Sequence, residues 1–134
     1  SKLFVNVREK RSLCYYASSA IEKFKGLMIV SSGISFDQYE TARDAILAEL
    51  DACRRGEITQ EELDSARRSL ISAVRAALDT PAALDDWYIG MSIEPCDDPE
   101  TMLQKLPALT VEDVVRAARR ITTDTIYFLK GDEA

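Results

Sequence analysis

Arg8 and Tyr15 are the pair in this sequence whose types and spacing suit joint work on a ligand. A guanidinium and a phenol supply several hydrogen-bond donors but no strong nucleophile, which fits gripping a carbonyl or carboxylate better than breaking a bond. Leu3, Phe4 and Val7 recur at helical spacing, the run from Arg8 to Arg11 is strongly charged, and Leu13 onward reads as a strand. A helix turning straight into a strand would set Arg8 near the helix end and Tyr15 early in the strand, their polar tips on one surface. Tyr16 follows at once. Alternation along a strand sends neighbouring side chains to opposite faces, so only one of the two phenols can serve, and the sequence leaves open which.

Other chemistries are poorly supplied. The chain has no histidine, so it cannot build a His-based zinc site, a Ser-His-Asp triad or a Cys-His pair. Cys14, Cys53 and Cys96 are widely spaced, odd in number and without a C-x-x-C pattern, and read as reduced, mostly buried thiols of a cytoplasmic protein. Asp85 with Asp86 and Asp97 with Asp98 lack the spacing of a calcium loop, and read as caps and solvated surface. Trp87 and Tyr88 fall at helical spacing with Leu84 and Met91, a pattern of core or interface more than of a ligand platform. Arg54 and Arg55, Arg67 and Arg68, and Arg116, Arg119 and Arg120 sit among acids on expected helices, where solvated faces with intrahelical pairs are anticipated.

A net charge of −6 and a pI near 4.7 argue against a nucleic-acid partner, whose phosphates require a basic face. The 134 residues, 46% hydrophobic and 30% charged, fit one soluble globular domain spanning 1–134. The longest apolar run, LMIV, is far short of the roughly 20 residues of a membrane span. No secretory signal opens the chain, although it reads as starting in mid-fold, truncated at its N-terminus, so that a targeting segment could lie upstream.

The elements that must position the pair follow in order. CYYASSAIEKF and GLMIVSSGIS form an expected antiparallel hairpin turning near Lys25 and Gly26, with LMIV reading as buried on both faces and Gly33 near the strand end. Ser35 with Gln38 has capping-box spacing ahead of a helix striped by Tyr39, Ala42, Ile46, Leu50 and Cys53, which should stop at Gly56. Thr59 with Glu62 opens a second helix carrying Leu63, Ala66, Leu70, Val74, Ala77 and Leu78. Thr80-Pro81, Asp98-Pro99 and Thr110 with Asp113 start three further helices, and DTIYFLKG reads as a strand returning beside the hairpin. The expected fold class is α+β: a mainly antiparallel sheet of at least three strands with about five helices largely on one face.

The run LFVNVREKRSLCYYASS, with KGLMIVSSGI and DTIYFLKG after it, resembles the C-terminal domain of the M16 (pitrilysin-like, insulinase-like) zinc peptidases. Members carry Arg, six residues and Tyr at this helix-to-strand junction, and Arg8 and Tyr15 match both types and spacing. The resemblance implies a half domain that binds no metal itself, while zinc sits on an H-x-x-E-H motif in another domain or subunit. It implies that Tyr15 bonds the scissile carbonyl or its oxyanion, that Arg8 holds the peptide backbone, and that substrates are peptides or unfolded protein segments. A homo- or heterodimeric assembly is implied, with H-x-x-E-H either upstream in the same polypeptide or in a partner. The alternative is a non-catalytic structural or interaction subunit, since M16 folds also serve as scaffolds.

Overall fold

The computed structural model describes residues 6–7 and 13–131. By internal packing the chain forms two units, 1–57 with 114–134, and 58–113. In the first unit, β1 (Tyr16–Glu22) and β2 (Leu27–Gly33) are joined by a 3-10 turn, Lys23–Lys25. Gly26 closes that turn at φ 61°, a left-handed conformation that glycine adopts without Cβ strain. The strands pair antiparallel, with Tyr16 opposite Gly33 and Glu22 opposite Leu27.

Helix α1 (Tyr39–Arg55) lies on one face of this hairpin. Val7, Cys14, Ala17 and Ala45 make the buried cluster, and Leu13, Val30, Ile34 and Ile46 pack around it. Ala42, also buried, shares the inner face of α1 with Ala45, and side chains this small let the helix approach the sheet closely. Gly56 ends α1 at φ 77°, its N–H bonding back to Ala52 and Cys53. Asn6 adds a tie from the opposite end, donating to Glu49 Oε2 at 2.8 Å.

Two expectations for the sheet are corrected. The sheet of the described residues has two strands, where at least three were expected, because DTIYFLKG forms no ladder. One of its two aromatic residues is engaged elsewhere: Phe128 stacks on Tyr39 at the start of α1, with ring centroids 4.4 Å apart, and the Lys130 ammonium lies 5.6 Å from the centre of the Phe36 ring. The LMIV run is not buried on both faces either, since Leu27, Met28 and Ile29 are exposed and only Val30 joins the core side. α1 packs on the Ala17 and Val30 side of the hairpin, and Leu27, Met28 and Ile29 stay outside that cluster.

In the second unit, α2 (Gln60–Leu78) packs against α3 (Pro81–Ile93), α4 (Pro99–Lys105) and the 3-10 turn Leu106–Ala108. The Thr59–Glu62 capping box forms as its spacing anticipates: Thr59 N–H donates to Glu62 Oε2 at 2.9 Å, and Glu62 N–H to Thr59 Oγ1 at 3.2 Å. Leu63 and Val74 are buried, whereas Ala66, Leu70 and Leu78 of the same stripe are exposed. Arg67 ties α2 to the chain leaving α4, bonding Asp64 Oδ1 at 2.8 Å and the carbonyl of Leu109. Asp98 caps α4, accepting from Thr101 N–H at 2.9 Å, and Thr110 caps α5 (Val111–Arg120) in a box with Asp113. Among the described residues there are five α-helices, in agreement with expectation. No helix among the described residues is long and apolar enough to cross a membrane.

Candidate substrate-binding site

Tyr15 stands immediately before β1, its N–H donating to the carbonyl of Gly33 at 2.7 Å. That bond lies one residue out of the Tyr16–Gly33 register and ties the backbone from which the side chain leaves. The ring is 74% exposed, and the hydroxyl lies 3.3 Å from Ser35 Oγ. Leu13, Cys14, Tyr15, Ser35 and Gln38 line a shallow cavity of about 150 Å³ at this corner. Hydroxyl and amide groups make up much of this lining, beside Leu13 and Cys14, and could meet a polar backbone group.

The phenol left ambiguous by the sequence is separated from its neighbour by packing. Tyr16 lies across Gly33: a Cβ on that glycine would stand 2.5 Å from Tyr16 Cε1. Tyr15 thus lines the cavity with Ser35, while Tyr16 uses its ring to cover a glycine on the paired strand. Arg8 lies outside the described residues, as do Glu9, Lys10 and Arg11 beside it.

Ser35 and Gln38 are the residues that sequence reasoning placed wrongly. They do not form a capping box. Ser35 precedes a 3-10 turn, Phe36–Gln38, with no side-chain capping bond, α1 begins only at Tyr39, and the Gln38 amide instead donates to Asp37 at 3.3 Å. The extra tight turn shortens the reach back to Ser35, which frees its hydroxyl to meet Tyr15. The ladder ends at the Tyr16–Gly33 pair, so no strand register in the sequence could have placed Ser35 against Tyr15.

Several other candidates resolve into structure. Trp87 is half-buried and donates from Nε1 to the Asp97 carbonyl at 3.1 Å, whereas Tyr88 is exposed. Asp97 holds Lys105 through both carboxylate oxygens, at 2.7 and 2.8 Å. The bond from Thr101 N–H, and then that from its hydroxyl, hold the Asp98 carboxyl below its ordinary pKa. The basic clusters are less uniformly solvated than expected, since Arg54 and Arg67 both reach carbonyls far away in sequence. Cys14 is buried, Cys53 and Cys96 are half-buried, and no disulfide joins any two of them.

The chemistry of the donor set does not fit zinc. The sequence has no imidazole, and among the described residues no three Cys, Asp or Glu side chains converge.

A β-hairpin backed by a helix, together with the helices of the second unit, defines a domain of α+β class. The sequence family model for the peptidase M16 inactive domain matches residues 1–70, and this chain belongs to that family. It is 37% identical over 134 residues to a Bacillus subtilis protein called "Probable inactive metalloprotease YmfF", covering 99% of this chain and 32% of that protein. It is similar in structure to a conserved protein from Enterococcus faecalis, with TM-score 0.82 and 33% identity over 90% of this chain and 29% of the other. A protease from Helicobacter pylori shares the fold, with TM-score 0.72 and 23% identity over 89% of this chain and 30% of the other. The chain therefore spans about a third of the length of the relatives it matches.

Proposed function

We propose that this domain binds extended peptide or unfolded protein segments within an M16 peptidase-like assembly, for cleavage by a domain or subunit that carries H-x-x-E-H. The observation that carries this reading is the Tyr15 phenol, 74% exposed at the mouth of its cavity in a family whose members place a tyrosine at this junction. Tyr15 would donate its hydroxyl proton to a peptide carbonyl, a bond that strengthens as negative charge gathers on that oxygen. Arg8 would hold the neighbouring backbone with charge-assisted bonds. Zinc belongs to the partner in this reading, and the assembly is a homo- or heterodimer. Both outer edges of the hairpin lack a partner strand among the described residues, so a peptide could dock by strand addition. Hydrogen exchange that stays unprotected along both edges in the presence of peptide would count against that docking mode.

The decisive comparison is Tyr15→Phe and Arg8→Ala in the full-length assembly. Turnover should fall by about 100-fold for Tyr15→Phe, the scale of losing one donor to a developing oxyanion, with zinc content unchanged. Unchanged turnover would remove this reading. The printed name of the Bacillus relative favours a second one, a non-catalytic interaction subunit. That reading expects both variants to leave the function of the assembly intact.

A further inference from the structure

We infer that Ser35 is a positioning residue for Tyr15, donating its hydroxyl proton to the phenol oxygen so that the phenol's own proton points at the peptide. The inference rests on the reading of Tyr15 as a peptide-binding group. Ser35 Oγ and the Tyr15 hydroxyl are 3.3 Å apart, and at that distance either oxygen can donate. The two directions differ in consequence. If Tyr15 donates to Ser35, its only proton is used and the phenol has none to offer a carbonyl. If Ser35 donates, the phenol oxygen accepts, its O–H is polarised outward, and the donated bond to peptide gains strength by cooperativity.

Three features of the chain favour the second direction once peptide is present. Ser35 makes no capping bond to the 3-10 turn that follows, so its hydroxyl is not committed to the backbone there. The serine lies on the cavity wall beside Tyr15 rather than behind it. The Tyr15 N–H is anchored to the Gly33 carbonyl and Ser35 follows Gly33 by two residues, so a short, backbone-tied stretch connects the two hydroxyls. A peptide carbonyl entering the cavity would then complete a chain of two hydrogen bonds.

The test uses the full-length protein and a fluorescein-labelled nonapeptide of alternating apolar and polar residues, acetylated and amidated at its ends. Binding is read by anisotropy, and the Tyr15 hydroxyl by its 13Cζ chemical shift. Tyr15→Phe should weaken binding about fivefold and Ser35→Ala about threefold, the scale of single neutral hydrogen bonds. Ser35→Thr should bind within twofold of the parent, and Ser35→Ala should add no further loss to Tyr15→Phe. In the parent, the Tyr15 13Cζ resonance should move on peptide addition, and Ser35→Ala should diminish that movement.

Full-strength binding by Ser35→Ala, or losses that simply add in the double variant, would overturn the role of Ser35 while leaving Tyr15 as a binding group. Full-strength binding by Tyr15→Phe, or no binding by the parent protein, would overturn both together. Ser35 is exposed and makes no cap, so its variants should retain the parent thermal stability. A lowered melting temperature matched by lost binding in Ser35→Thr as well as Ser35→Ala would assign the serine a structural role and overturn the inference.

Discussion

Arg54 and Arg119 cap one another's helices. The Arg54 guanidinium, near the end of α1, donates through Nε to the Ala118 carbonyl at 3.3 Å and through a terminal nitrogen to the carbonyl of Ile121. Arg119, near the end of α5, returns a bond from Nε to the Arg54 carbonyl at 3.4 Å. Each helix terminus leaves carbonyls without intrahelical donors, and each receives a cation from the other. Asp51 holds the fork in place at 2.7 Å.

Arg54→Ala should therefore destabilise the unit by about 2 kcal/mol, since the lost bonds are charge-assisted and partly buried. Arg54→Lys should recover less than half, because an ammonium lacks the planar fork that serves two carbonyls and a carboxylate at once. Arg119→Ala should cost under about 1 kcal/mol, its single bond being long and exposed. Urea unfolding of the three variants checks the ranking, and a Lys variant as stable as the parent would refute the two-carbonyl clamp.

Gly33→Ala should displace the Tyr16 ring, because the added methyl would sit 2.5 Å from Cε1 and 2.8 Å from Cδ1. The ring is half exposed and can swing away, so the expected loss is about 1 kcal/mol rather than unfolding. Tyr16 ring resonances should shift while the Tyr15 hydroxyl signal stays, since the Tyr15 N–H bond to Gly33 uses backbone alone. Unmoved Tyr16 resonances would contradict the packing.

Gly56→Ala should lower stability by about 1 kcal/mol, as the residue sits at φ 77° and a Cβ is strained there. Gly56→Asn should cost less, asparagine being the side chain that best tolerates this region. Equal losses for the two would mean that something other than backbone conformation limits the site.

Acid should weaken the start of α4 through Asp98. Bonds from Thr101 depress its folded-state pKa below the ordinary value of 3.8, so the ionised carboxylate favours the folded state. That contribution is fully present above pH 3.8, declines as pH falls below it, and is gone beneath the depressed folded-state value. Hydrogen exchange of the α4 amides should show the parent's protection over Asp98→Ala at neutral pH shrinking across that window. A difference that persists undiminished at the lowest pH would exclude the linkage.

Much of this molecule was legible from short-range pattern. The Thr59–Glu62 and Thr110–Asp113 boxes, the Asp98 cap, the Gly56 stop and the turn at Gly26 all appear where residue types three or four apart predicted them. Such devices close within one turn of backbone, so their partners are fixed by the spacing itself. The Arg8–Tyr15 pair was read in another way, from a resemblance to a family, and Arg8 lies outside the described residues. Ser35 shows the limit: its spacing to Gln38 was that of a capping box, yet a tight turn intervened and the hydroxyl lies beside that of Tyr15, just ahead of β1.

By itself, the sequence determined the α+β class, most of the helix ends, the hairpin and the absence of any imidazole chemistry. Tertiary structure decided which side chains met: Tyr15 with Ser35, Tyr16 over Gly33, Arg54 with α5, and Phe128 on Tyr39 in place of a third strand. The division has a physical cause. Local hydrogen bonds compete only with nearby alternatives, whereas a β-rich run such as DTIYFLKG or a forked cation can satisfy itself against many distant surfaces, and only the packed chain selects one.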